Sequence, residues 1–364
     1  MAIVASLFGD LAQSQNLQAL IDNSVDALYT QSIWRQYLDW GLPQTDLTFA
    51  TAIGRSRIEA AASIVDPDSS APLRSRAALE KLDGKIPTMK EKFSLNQDDY
   101  RKLRVLQTLP ISDREKLNQL IAKLWNDVQN AATSTDRRLD IMFLQAVSTF
   151  QVDVTITNNP DGVVFGTVDL LAKADQKRTV TTVWTDNAAD PFKDIRDVVR
   201  YAALSGRKFK EIWIDQELWF TIQNLTNVKA AISGYQNPGS NAKFLVTLNT
   251  VNEFLVANGL PMIKLINERR GIEKDGKVDT INPFKKENVV FIPEGKLGIV
   301  HNAISIEEWE KVAGINYAKY DRTIVSKWHD NDPWREYTAA ELNAFPALEA
   351  IDGIFILQSN IATV

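Results

Sequence analysis

The sequence predicts an α+β fold of about two domains, and three observations carry that reading. Residues 112–150 hold apolar positions on one helical face; from residue 190 short helices and short strands alternate; and residues 63–92 form a polar tract too poor in apolar side chains to build a core of its own. A chain of 364 residues with 45% hydrophobic and 24% charged content can bury a sizeable core, which excludes global disorder.

Residues 16–40 are read as helical. Leu17, Leu20, Ile21, Val25, Leu28, Ile33, Trp34, Tyr37 and Leu38 recur at helix-like spacing. Such a segment can pack on its own domain or lie as an arm on a neighbouring subunit, and the sequence leaves both open. Residues 48–105 are read as a long excursion with strand-like arms, because Ile86, Met89, Phe93 and Leu95 resume an extended pattern after the polar tract. A structureless stretch of this length is unusual inside a compact domain. It is better explained as a loop that finds its partners on another chain.

Ser112 and Glu115 form a capping box at the start of the long helix. Leu117, Leu120, Ile121, Leu124 and Val128 continue its apolar face, followed by Leu139, Met142, Phe143, Val147 and Phe150. Thr133-Ser134-Thr135 is the weak point, where a kink or break is expected. A hairpin follows, with Val152, Val154 and Ile156 alternating, a turn at 158–162, and Val164, Val168 and Leu170 on the return strand.

Asp190-Pro191 starts a helix as N-cap and first residue, and Gly206 ends it. Residues 211–214 read as a strand, Asp215 as the cap of the next helix, and Thr250 with Glu253 as a second capping box before Gly259 and Pro261. Strands are expected at 262–267, 278–281, 288–292 and 297–301, with a hairpin turn at Lys274-Asp275-Gly276-Lys277, and a final strand at 354–357.

The formal net charge is −5, and basic groups such as Lys177-Arg178 and Arg207-Lys208 are short and balanced by nearby acids. Tight binding to nucleic acid needs clustered Lys and Arg, so it is not expected, whereas passive containment of DNA is compatible with an acidic wall. The absence of cysteine excludes disulfides, thiol nucleophiles and cysteine-based zinc sites. No signal peptide and no apolar run long enough to span a bilayer is present. Asn224-Leu225-Thr226 matches a glycosylation acceptor, but nothing in the sequence directs the chain to secretion.

No catalytic motif is found. His301 and His329 stand alone and are read as structural; Asp330-Asn331-Asp332 is read as a polar turn before Pro333 rather than a metal site. Asp98-Asp99 followed by Arg101-Lys102 suggests a solvated face or intersubunit pairing. The nine tryptophans are scattered and are read as packing residues. No cofactor and no metal is expected.

Several stretches resemble the lambda-type major capsid proteins of tailed bacteriophages, the capsid protein E family. They are Ala71-Pro72-Leu73-Arg74-Ser75-Arg76, Gly84-Lys85-Ile86-Pro87, Lys92-Phe93-Ser94-Leu95-Asn96 with Asp99-Tyr100-Arg101, Asn282-Pro283-Phe284, and the run from Asn288 to Gly298. The resemblance runs from about residue 45 to the end. It implies the Hong Kong 97 phage capsid fold, with an N-terminal arm or helix at 1–47, an extended loop and its strand arms at 48–105, and a peripheral domain with spine helix and hairpin at 106–184. Residues 185–330 would be mostly an axial α/β domain, and 331–364 a C-terminal segment returning to the sheet.

The implied function is self-assembly into hexamers and pentamers of an icosahedral shell enclosing a phage genome, without enzymatic activity and without a membrane. Loop residues Arg74, Arg76, Lys81, Lys85 and Lys90 are the expected subunit-interface residues. The implied partners are a scaffolding protein on a separate chain and a portal, with a decoration protein left open and packaged DNA contained without sequence-specific binding. The virion is the expected location, after assembly in host cytoplasm. Removal of an N-terminal segment is not expected; neither is lysine–asparagine cross-linking, for which no acidic catalyst can be placed beside Lys85 or Lys90. Two alternatives remain: a cellular compartment shell of the same fold around a protein cargo, and a hydrolase using scattered carboxylates.

Overall fold

The computed structural model describes residues 8–53, 80–108, 113–164, 166–236 and 246–363. The chain forms two compact units from discontinuous segments: a first of residues 1–49, 84–140 and 299–346, and a second of residues 50–83, 141–298 and 347–364.

In the first unit, strands Leu38–Gln44, Gly298–Ala303, Trp334–Ala347, Thr323–Asn331 and Asn316–Tyr320 lie side by side in that order, and Thr88–Leu95 also pairs with Trp334–Ala347. The strands from 316 to 347 go beyond those the sequence announces. Polar side chains fill positions that a core strand would give to apolar ones. Lys327 and Glu336 are fully buried and 3.1 Å apart, and the Lys327 ammonium also donates to Thr338 Oγ1 at 2.9 Å. The expected turn at 330–333 is the one that joins Thr323–Asn331 to Trp334–Ala347.

The segment expected as one helical stretch is three short helices, Ser14–Asp22, Val25–Tyr29 and Trp34–Tyr37, and Leu38 already begins a strand. Its apolar face does continue: Leu17, Ile21 and Leu28 pack with Val128, Ala132, Ala318, Tyr320 and Val325. The segment therefore packs on its own unit.

Helix Asp113–Thr149 matches the expected long helix, although Ser112 of the capping box lies outside the described residues. Thr133, Ser134 and Thr135 do not break it. Their hydroxyls donate to the carbonyls of Gln129, Ala131 and Ala132, which satisfies them within the helix.

One turn of this helix carries Asp136 and Asp140 on the buried stripe that begins with Val128 and Ala132. Both are occupied by the N-terminal segment. The Trp34 N–H donates to Asp140 Oδ1 at 3.0 Å. Arg35 reaches Asp136 through Nε and Nη2, at 3.2 and 2.9 Å, and Asp321 through Nη1 at 2.7 Å. The Tyr320 hydroxyl donates to Asp136 at 2.8 Å, the Trp40 indole donates to Asp321, and the Tyr29 ring stacks under the guanidinium at 3.9 Å. Burial works against the Arg35 charge, but the two carboxylates outweigh it and raise its pKa.

The second unit is built on the sheet order Lys177–Val180, Phe355–Ala362, Asn288–Ile292, Glu211–Asp215, Met262–Ile266. Every residue of the central strand Asn288–Ile292 is buried, which is why its sequence reads as a continuous apolar run. Val289 and Phe291 face the core made by helices Pro191–Leu204, Gln216–Ile222, Thr226–Gln236 and Leu248–Ala257. The Asp190 and Asp215 caps form as expected, accepting from Lys193 N and Glu217 N. The second capping box is three residues earlier than expected: Thr247 is the cap and Thr250 its partner. Thr247 has the extended backbone a cap requires, and starting there aligns Val251 and Leu255 on the buried face.

The Asn282-Pro283-Phe284 stretch has a structural reason. Asp215 is completely buried and accepts from Asn282 Nδ2 at 2.7 Å and from Arg269 Nη1 at 3.1 Å, besides capping its helix. Asn282 Oδ1 also accepts from the Phe284 N–H, and the Phe284 ring is buried. Gly298, last of the central motif, sits where a Cβ would lie 2.0 Å from the Ala347 carbonyl oxygen.

Two outcomes follow for stability. Arg35→Met leaves carboxylates without their cation and is expected to cost about 3–5 kcal/mol in urea unfolding; Arg35→Lys should recover only part, because an ammonium cannot reproduce the forked contact. Gly298→Ala forces the backbone apart and is expected to cost about 1–3 kcal/mol or more in the same measurement.

Candidate assembly surface

The two arms of the excursion are anchored. Its arms Thr48–Ile53 and Glu80–Lys85 pair as a two-stranded ribbon. At the foot of the ribbon Phe49 stacks on His301 at 4.8 Å and on Phe345 at 5.0 Å between ring centroids. A Cβ on Gly84 would meet the Phe49 ring at 3.0 Å, so a glycine here lets the return arm approach. The Ile86 N–H donates to the Leu47 carbonyl at 2.8 Å and the Ala344 N–H to the Pro87 carbonyl at 3.2 Å. The Gly84-Lys85-Ile86-Pro87 stretch thus packs within the first unit.

The expected interface residues fall at different places. Arg74 and Arg76 lie outside the described residues. Lys81 is within the return arm, and Lys85 ends it, exposed. Lys90 lies in strand Thr88–Leu95, is largely exposed and pairs with Glu341 Oε2 at 2.5 Å. Glu341 also accepts from Ser305 Oγ at 2.6 Å. Past this strand, Asn96 caps helix Gln97–Thr108 by accepting from the Asp99 N–H, and Lys102 pairs with Asp99 on an exposed face.

Both histidines are packing residues. His301 is buried under Phe49, with Nδ1 3.4 Å from Gln44 Nε2, and burial lowers its pKa. His329 is buried edge-on against Trp334, whose ring in turn tilts on Tyr100. Among the described residues no group of three or more His, Asp or Glu side chains could hold a metal ion. No described helix is long and apolar enough to cross a membrane.

Several large apolar side chains are exposed as well. In the first unit Leu42, Ile306, Trp309 and Val312 are exposed; in the second, Ile156, Val163 and Val164 crowd the turn of the hairpin formed by Gln151–Val154 and Gly166–Asp169. The ribbon Arg270–Lys274 with Lys277–Ile281 buries Ile272 alone among its ten strand residues. An isolated two-stranded ribbon is marginal in water, and clustered apolar exposure marks surfaces that partners cover. Sequence reasoning found the ribbon turns but not their apolar display, since alternation does not tell which face will lack a neighbour.

A family model described as phage major capsid protein E matches residues 31–359. Among solved structures, a candidate capsid protein of a prophage in Escherichia coli CFT073 aligns over 95% of this chain and 98% of its own, at 13% identity and a TM-score of 0.58. A phage-related protein of Bordetella bronchiseptica RB50 aligns over 99% and 98%, at 10% identity and a TM-score of 0.50. At such identities the likeness establishes a shared fold. No curated protein matches the chain in sequence.

The His301 environment predicts a pH dependence. In the unfolded chain its imidazole takes up a proton near the ordinary value of 6.5, and in the folded chain only at lower pH. Below that value the unfolded state binds more protons, so stability falls with acidification and is regained above it. His301→Gln should shrink the difference in melting temperature between about pH 7.5 and about pH 5.5. An unchanged difference would assign the acid sensitivity to other groups.

Proposed function

The chain belongs to the phage major capsid protein E family and is a major capsid protein; we propose that its copies close as hexamers and pentamers into an icosahedral shell around a phage genome. The single observation that carries this reading is the family match across residues 31–359. The anchored excursion and the uncovered apolar surfaces support it, because both are features that neighbouring copies would use.

In this reading residues 106–184 are the peripheral domain, with helix Asp113–Thr149 as its spine helix, and residues 185–330 are mostly the axial domain near the local symmetry axes. The excursion lies over a neighbour, and Arg74, Arg76, Lys81, Lys85 and Lys90 pair with that neighbour's acids. For Lys90 the pair with Glu341 is an internal alternative that assembly would have to compete with or extend. A separate scaffolding chain and a portal complete the assembly in host cytoplasm, and a decoration protein can be added to the outside. DNA is contained rather than gripped, as the net charge of −5 and the lack of basic clusters suggest. The role is structural, with no catalytic step.

Exposed ion pairs are worth on the order of 0–1 kcal/mol each. Weak contacts repeated around a shell add up while still letting misplaced subunits leave. Replacing Arg74 and Arg76 by Ala should therefore leave the melting of the unassembled subunit nearly unchanged and lower the yield or salt resistance of shells seen by electron microscopy. A double variant that unfolds much earlier, yet assembles normally from its folded fraction, would place the loop in the subunit core and sink this reading. Shells enclosing a protein cargo instead of DNA would favour a cellular compartment.

A further inference from the structure

In an antiparallel ladder alternate residues turn their N–H and C=O groups to one neighbour, and the residues between turn theirs to the other side. Strand Asn316–Tyr320 uses one edge to pair with Thr323–Asn331, and its other edge closes the six-stranded sheet. Among the described residues no strand follows there. Instead, Ser14 Oγ accepts from the Tyr317 N–H at 3.0 Å, Gln18 Oε1 accepts from the Lys319 N–H at 2.7 Å, and Gln18 Nε2 donates to the Lys319 carbonyl at 2.9 Å.

The Gln18 amide gives Lys319 the donor and acceptor that a peptide unit of another strand would give. The match is geometric. Ser14 and Gln18 stand one turn apart on helix Ser14–Asp22, with Cβ atoms about 6 Å apart in such a pair. Outward-facing groups on a strand recur every second residue, at about 6.8 Å. Leu17 and Ile21, on the same helix, are buried in the cluster beneath and hold it in place. The helix has nine residues and no side-chain N-cap. It is too short to persist by itself in water, so it exists as a helix because it is docked.

We propose that this helix is a guard over a strand edge, and that the occupant it keeps out is the same edge of a second copy of this chain. An uncovered edge is a template for strand addition. Here the template fits itself: antiparallel pairing centred on Ala318 sets Tyr317 of one copy against Lys319 of the other, with no like charges opposed. A shell-building protein meets its own copies at high local concentration, where such pairing would compete with ordered closure. The guard belongs to the subunit and holds whatever the geometry of the shell.

The test uses the full-length chain. Ser14→Ala with Gln18→Ala removes the edge contacts and leaves Leu17 and Ile21 in place. It is expected to keep its circular-dichroism spectrum while sheet-rich aggregates, followed by thioflavin T and light scattering, grow several-fold faster than in the unaltered chain. Gln18→Glu, of nearly equal size, sets a carboxylate against the Lys319 carbonyl and should show a smaller acceleration. Adding Lys319→Pro removes one outward N–H from the edge and should return the double variant to the unaltered rate. Growth no faster than that of the unaltered chain, or acceleration that the proline leaves untouched, overturns the proposal.

Discussion

A single guanidinium organises the first unit. Arg35 joins the N-terminal segment to the long helix through Asp136 and to the turn after strand Asn316–Tyr320 through Asp321. A charge carried out of water is costly unless it is both paired and hydrogen-bonded. Here it has two carboxylates, and Tyr29 beneath it as an aromatic face. The carboxylates are themselves satisfied by the Tyr320 hydroxyl and the Trp40 indole. Apolar packing of Leu17, Ile21 and Leu28 supplies attraction without direction, and the forked contact supplies the direction. It also explains why the N-terminal helices are interrupted: Trp34 and Arg35 must present a backbone N–H and a side chain to two carboxylates one helical turn apart.

The second unit solves the equivalent problem with a buried acid paired to an arginine. Asp215 ends one strand, caps the following helix and receives Arg269 and Asn282 from the segment that leads into and out of the exposed ribbon. The ribbon can therefore project with almost no core of its own, because its two ends are tied to a fully buried group. The same logic holds at the foot of the excursion, where the Phe49, His301 and Phe345 rings fix the arms. In both places the anchoring groups lie inside the subunit.

Much of this was legible in the sequence, and the reason is local. The long helix, the caps at Asp190 and Asp215, the hairpin turns at 158–162 and 274–277 and the buried strand at 288–292 follow from periodicity, capping chemistry and turn residues, which depend on neighbours within a few positions. The family-like stretches also pointed to the correct family, and four of them acquire physical reasons in the fold: Gly84 lets the return arm approach Phe49, Asn96 caps the following helix, Asn282 ties down Asp215, and Gly298 makes room for the Ala347 carbonyl.

What the tertiary structure decided is where charge goes inside. Arg35, Asp136, Lys327 and Glu336 look like surface residues in a linear reading, because burial of an ion is possible only when a partner distant in sequence arrives to meet it. The strands from 316 to 347 were hidden for the same reason, since their inward positions hold a lysine, a glutamate and threonines. Whether the N-terminal segment would lie on its own unit or on a neighbour was likewise beyond the sequence. Its apolar stripe fits either surface; the Arg35 contacts with Asp136 and Asp321, and the edge groups of Tyr317 and Lys319 at the spacing of Ser14 and Gln18, make its own unit the better partner.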